Sequence, residues 1–148
     1  DTLLNTPVYR FQNSDRTSTY IYAGEAERES MRQNYPQFVE DGFAFKVSEE
    51  ADNQLVIFNR FQNTAVPSSY LYVGETESQN IRQNYPQFVE EGIAFYALDA
   101  DTNLRKDIYR LQNMAQPGTY IFVGEEEKDS ILAYFSHFQL EGIAFETF

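Results

Sequence analysis

The nine residues RQNYPQFVE stand at 32–40 and again, unchanged, at 82–90. Sliding the chain by 50 residues against itself shows that this identity is the least diverged part of a threefold repeat. Arg10 falls on Arg60 and Arg110, Gln12-Asn13 on Gln62-Asn63 and Gln112-Asn113, and Tyr20 on Tyr70 and Tyr120. Gly24-Glu25 meets Gly74-Glu75 and Gly124-Glu125; Gly42 with Ala44-Phe45 returns at 92–95 and 142–145. No insertion or deletion is needed, which sets the units at 1–50, 51–100 and 101–148 within one domain. The third copy has drifted most, to LAYFSHFQL at 132–140.

Each unit reads as strand, turn, strand, short helix, strand. In VYRFQN (8–13), Tyr9 and Phe11 alternate with Arg10 and Gln12, the period of a strand. The stretches SDRTS, TAVPS and MAQPG that follow are turn-rich. TYIYAG (19–24) alternates again, with Tyr20 and Tyr22 on one side, until Gly24 breaks it. Glu25 to Asn34 is predicted helical, with acids in its first turn, where they complement the helix dipole. Its apolar row is thin, Met31 and Tyr35, and Pro36 stops it. QFVEDGFAFKV (37–47) is a strand interrupted by a glycine, which predicts a bulge or bend. A helix with one apolar edge and three short strands cannot stand alone, so three copies must share a core. The expected fold is mainly β with one short helix per repeat, a pseudo-threefold β-trefoil in which the glycine splits the last strand. A three-sheet β-prism or three-bladed propeller is the alternative. An open solenoid is disfavoured, because the end copies lack polar capping.

Thirteen Phe and 11 Tyr, with no Trp, supply the candidate core. The formal net charge of −12 argues against nucleic acid and anionic membrane surfaces as partners. Cysteine is absent, which removes disulfides, thiol catalysis and cysteine-ligated zinc. Spanning a bilayer takes roughly 20 consecutive apolar residues. No apolar run in the chain approaches that length. A start at Asp1, with no initiator Met or signal peptide, suggests a mature or excised piece of a larger multidomain chain.

YRFQN (9–13), TYIYAGEAE (19–27) and FVEEGIAFYA (88–97) resemble a tandem-repeat family of unknown function in secreted bacterial and fungal proteins. The likeness runs over nearly the whole chain, three times. Members often sit beside glycoside hydrolase, cell-wall lytic or calcium-binding exoprotein domains, so the resemblance implies an accessory surface-binding module. Many relatives carry His before the second-strand aromatic; here that position is Thr19, Ser69 or Thr119.

The arginine ladder Arg10, Arg60 and Arg110 is flanked by aromatics, and acids recur in register with it. Pairing of each arginine with an acid of its own unit, clamping strand to helix, is the expected structural role. Tyr20, Tyr22, Tyr70, Tyr72 and Tyr120, beside Glu25, Glu75 and Glu125 and the ladder arginines, are the candidate ligand-binding residues. An aromatic ring packs on the apolar face of a pyranose while carboxylates and amides take its hydroxyls. The competing reading places these rings in the core. In DADTNLRKD (99–107), Asp99, Asp101, Asn103 and Asp107 match four positions of a calcium loop, but Leu104 and Arg110 stand where its glycine and glutamate belong. His137, the single histidine, lies in the drifted third copy with no nucleophile motif beside it. Paired carboxylates two apart at a helix start point different ways, so a glycosidase pair is not expected. The sequence therefore predicts a lectin-like module without catalytic activity, extracellular or on a cell surface, that recognises a glycan or cell-wall polysaccharide. The alternative is a structural or protein-interaction spacer of an adhesin with no small ligand.

Overall fold

Successive side chains of a strand point to opposite faces, and the apolar residues of these strands supply both. A computed structural model describes residues 3–100, 102–103 and 105–147. The first unit comprises β1 (Thr6–Asn13), β2 (Tyr20–Ala23), α1 (Glu25–Asn34) and β3 (Phe38–Val47). The second is β4 (Val56–Asn63), β5 (Ser69–Val73), α2 (Glu75–Asn84) and β6 (Phe88–Ala97). The third is β7 (Lys106–Asn113), β8 (Tyr120–Val123), α3 (Glu125–Tyr134) and β9 (Phe138–Thr147). Each unit makes its own antiparallel three-stranded sheet, ordered β2-β1-β3, β5-β4-β6 and β8-β7-β9. No helix among the described residues is long and apolar enough to cross a membrane.

One face of each sheet carries its own helix. In the first unit Phe11, Ile21 and Ala23 pack with the buried Met31 of α1. Leu111, Ile121, Val123 and Ile131 repeat the arrangement in the third. Tyr35, paired with Met31 in the predicted apolar row, is instead half exposed at the helix C-cap. So few buried side chains per helix give little apolar area, and polar contacts add to the attachment. Arg28 and Arg32 reach Glu40 on β3 at 2.9 and 2.7 Å, and Arg82 reaches Glu90 at 2.7 Å.

The opposite faces meet on the pseudo-threefold axis. Phe45, Phe95 and Phe145 form a triangle with centroids 6.0, 5.1 and 5.3 Å apart. Tyr22, Tyr72 and Phe122 form a second, at 5.6, 5.6 and 5.5 Å. All six rings are buried. Burial of so many aromatics in one place makes the axis the main source of apolar stabilisation. Two hydroxyls lace the second triangle. Phe122 N–H donates to the Tyr22 hydroxyl at 2.7 Å, and that hydroxyl donates to Phe122 C=O at 2.8 Å. The Tyr72 hydroxyl serves the Tyr22 backbone in the same way, at 2.9 and 3.2 Å. Backbone bridges Ser48–Tyr96 and Leu98–Glu146 join the ends of the third strands.

The molecule is thus mainly β and pseudo-threefold, of the trefoil or prism kind, with three separate sheets. The third strand of each unit runs unbroken through its glycine. Gly42, Gly92 and Gly142 adopt φ of 114°, 106° and 114°. Side chains rarely enter that region, and glycine does so at no steric cost. Where β1 pairs with β3, the register shifts on either side of the Tyr9-Arg10 pair. One extra residue on β3 falls in each shift, Asp41 and Ala44. A bulge, which re-aims side chains without ending a strand, replaces the expected split.

Candidate functional site: three grooves between units

Strand alternation puts Arg10 and Gln12 of β1 on the same face as Tyr20 and Tyr22 of β2, with Arg10 opposite Tyr22 and Gln12 opposite Tyr20. Tyr22 lies nearer the axis and is swallowed by the core. Tyr20 lies further out, at the seam with the neighbouring unit. There the bulged Asp41 accepts from Arg10 Nε at 2.8 Å, while Glu127 of α3 takes both terminal nitrogens at 3.1 and 3.0 Å. The other seams repeat this. Arg60 holds Glu91 at 2.9 Å and Glu27 of α1 at 2.9 and 3.1 Å. Arg110 holds Glu141 at 2.7 Å and Glu77 of α2 at 3.0 Å through both arms.

Every ladder arginine therefore has a forked bond to the helix of the preceding unit, and Arg10 closes the circle back to the third. The expectation of pairing within one unit holds only for the Nε contact. The clamp of a helix to its own sheet falls to Arg28, Arg32 and Arg82. Burial opposes the Arg10 charge, but the Glu127 and Asp41 carboxylates outweigh it. They hold the guanidinium above its ordinary value, because nearby negative charge favours the protonated form. With Nε and both terminal nitrogens engaged by carboxylates, the three arginines act as joints between units.

Tyr20, Tyr70 and Tyr120 lie half buried beside these joints. The guanidinium carbons stand 5.5, 5.2 and 5.7 Å from their ring centroids, within cation–π range. Burial raises all three phenols, Tyr120 to about 12, so each is a neutral hydroxyl able to donate and accept. Among the described residues nothing hydrogen-bonds these hydroxyls. An exposed ring at the end of the third helix, Phe135, lines the Tyr20 groove, and the exposed Tyr35 and Tyr85 hold the equivalent positions in the first and second units. The groove between the third and first units encloses about 530 Å³. Small-molecule sites enclose roughly 300–1,000 Å³.

Other expected site residues fall elsewhere. Tyr22 and Tyr72 are 4% and 2% exposed, so their place in a ligand site is corrected: they are core. Glu25, Glu75 and Glu125 are exposed at the helix starts, where Glu25 takes Arg28 at 3.4 Å and Glu125 takes Lys128 at 3.3 Å. The carboxylates that do reach the grooves are Glu27, Glu77 and Glu127, two residues on, with Asp41, Glu91 and Glu141. Their recurrence in register is visible in the sequence, but it does not say which unit each serves. Thr19, Ser69 and Thr119 are buried: the Thr19 and Thr119 hydroxyls close their turns by donating to Arg16 C=O at 2.7 Å and Gln116 C=O at 2.8 Å, and the Ser69 hydroxyl donates to Gly118 C=O at 2.6 Å.

The calcium loop is not assembled among the described residues, and Asp101 lies outside them. Asp99 accepts from the Ala100 N–H, and the Asn103 N–H donates to the buried Glu146 at 2.9 Å. Thr102 donates to the same carboxylate. Asp107 faces Glu146 as well, and burial followed by that charge raises its carboxyl above the ordinary value. His137 is exposed at the rim of the Tyr20 groove, 4.9 Å from the Phe138 ring and 6.1 Å from Phe135.

A family model described as Domain of unknown function (DUF5648) matches residues 7–148. The chain belongs to this family. The match takes in all three units, so the family domain holds the complete ring of joints and grooves. No curated protein and no solved structure matches the chain.

Proposed function

We propose that this domain is a non-catalytic carbohydrate-binding module of an extracellular or cell-surface protein, working through its inter-unit grooves. The observation that carries the reading is the pairing, in the groove between the third and first units, of the half-buried neutral Tyr20 hydroxyl with the exposed Phe135 ring, two positions that the other units repeat with Tyr70 and Tyr120, Tyr35 and Tyr85. The ring offers a pyranose its stacking face, and the phenol and flanking carboxylates offer hydrogen bonds to its hydroxyls. Three copies on one rigid body suit a repetitive polysaccharide, since avidity exceeds single-site affinity by roughly 10²–10⁴. The repeat resemblance to secreted proteins with wall-active domains supports the same reading. The groove carboxylates are each bound to an arginine, which favours binding over acid–base cleavage, where one carboxyl must hold a proton.

A second reading, a spacer without small ligand, draws on the use of Tyr22, Tyr72 and all three ladder arginines in holding units together. A glycan array separates the two. The binding module is expected to give selective signal that persists in chelator and weakens when Tyr20 is changed to Ala. Blank arrays with and without calcium would leave the spacer.

A further inference from the structure

The three grooves share one plan but not one composition, and the departures gather in one of them. In the second and third units the bulged residue is Glu91 or Glu141, and its carboxylate ties two neighbours at once. Glu91 takes Arg60 Nε and the Gln62 amide, both at 2.9 Å. Glu141 takes Arg110 and Gln112 in the same way. In the first unit the residue is Asp41, one methylene shorter. It keeps Arg10 at 2.8 Å, and among the described residues the Gln12 side chain makes no hydrogen bond. The opposite wall of that groove also differs: Phe135 replaces Tyr35 and Tyr85, and His137 replaces Gln37 and Gln87. Gln12, Asp41, Phe135 and His137 line the same space, the one of about 530 Å³.

Resting on the proposed function, we propose that the groove between the third and first units is the principal sugar site, and that it takes an uncharged pyranose. The Gln12 amide offers a donor and an acceptor side by side, which suits adjacent sugar hydroxyls. Phe135, having no hydroxyl of its own to solvate, is the apolar platform. His137 and the Tyr20 hydroxyl stand at the rim as further polar partners. The floor holds Asp41 and Glu127 against a single Arg10, leaving one surplus negative charge on a chain of net charge −12. A uronate or sialate carboxylate would meet repulsion there, whereas a neutral hydroxylated ring does not.

The test is a ¹H–¹⁵N and ¹H–¹³C NMR titration of the whole domain with methyl glycosides of glucose, galactose, mannose and N-acetylglucosamine, with glucuronate as the charged control. The expected result is saturable shifts at the Gln12 amide, Tyr20 and His137 with one neutral glycoside or more, and none with glucuronate. Gln12→Ala and His137→Ala should each weaken binding roughly tenfold. Asp41→Glu, which restores the closed floor of the other grooves, should weaken it too, while Gln62→Ala changes nothing. Equal shifts at Tyr20, Tyr70 and Tyr120, or indifference to the Gln12 and Asp41 variants, would overturn this assignment and leave the binding module standing. Preference for glucuronate would overturn the ligand class. Shifts in no groove with any sugar would overturn both.

Discussion

Tyr22 and Tyr72 each wrap a phenolic hydroxyl around the backbone N–H and C=O of the neighbouring ring residue on the axis, and Phe122 has no hydroxyl to complete the third bridge. A buried backbone pair that loses its partner costs about 1–3 kcal/mol, so Tyr22→Phe should lower stability by that amount. By the repeat geometry a hydroxyl at position 122 points at the Tyr72 backbone. Phe122→Tyr is therefore expected to raise stability by about 1 kcal/mol, read from urea midpoints of the two variants and the parent. The alternation of Tyr20 and Tyr22 is legible from the sequence. Their opposite fates are not, because both rings point the same way from β2 and differ only in distance from an axis that one unit does not possess.

The helices illustrate how one element is held by different chemistry in each copy. Arg28 lies 3.6 Å from the Tyr9 ring centroid in the first unit, and Lys128 4.6 Å from that of Tyr109 in the third. The second unit replaces both partners, and Asn59 donates to the buried Ser78 at 3.0 Å. Arg32–Glu40 and Arg82–Glu90 likewise become Leu132 and Leu140 in the third, an exchange of an ion pair for two apolar side chains. These pairs carry a pH dependence. Hydrogen bonds from Arg28 hold the Glu40 carboxyl below its usual range, and Arg82 does the same for Glu90. A carboxyl lowered by folding adds stability that is complete above the unfolded value of about 4.3 and is lost as pH falls through the folded one. Asp107, raised by burial and by Glu146, has the opposite sign and favours the fold more as pH drops. Among the described residues Glu40 and Glu90 are lowered and Asp107 is raised. The urea midpoint should therefore change little from about pH 7 to pH 5 and fall below that, less steeply in Glu40→Gln. Helix bounds are readable because Gly24 and the acidic first turn mark the start. The bulge partner of each arginine is not, since a register shift depends on the strand alongside.

Across the whole molecule the units are interdependent. Each contributes one ring to each axial triangle, one arginine to the unit before it and one glutamate to the unit after it. Such a unit is complementary to copies of itself. A chain of residues 51–100 alone is expected to be unfolded when dilute and to gain sheet structure as a homotrimer at higher concentration, because Phe95, Tyr72, Arg60 and Glu77 then meet their own equivalents. Sedimentation equilibrium with circular dichroism at several concentrations checks this; a folded monomer at all concentrations would contradict the shared core.

The sequence by itself determined the threefold repeat, the order of elements in a unit, the helix bounds and the bulge glycines. All of these are written in patterns no longer than one unit, where spacing and steric preference act. Closure decided the rest. Which Tyr is core and which lines a groove, which glutamate an arginine holds, and where Asp41, Phe135 and His137 converge all depend on distant residues. Arg10 and Glu127, from opposite ends of the chain, meet across the seam between the last unit and the first. No local pattern encodes that meeting, because it exists only once three sheets have packed their inner faces on one axis.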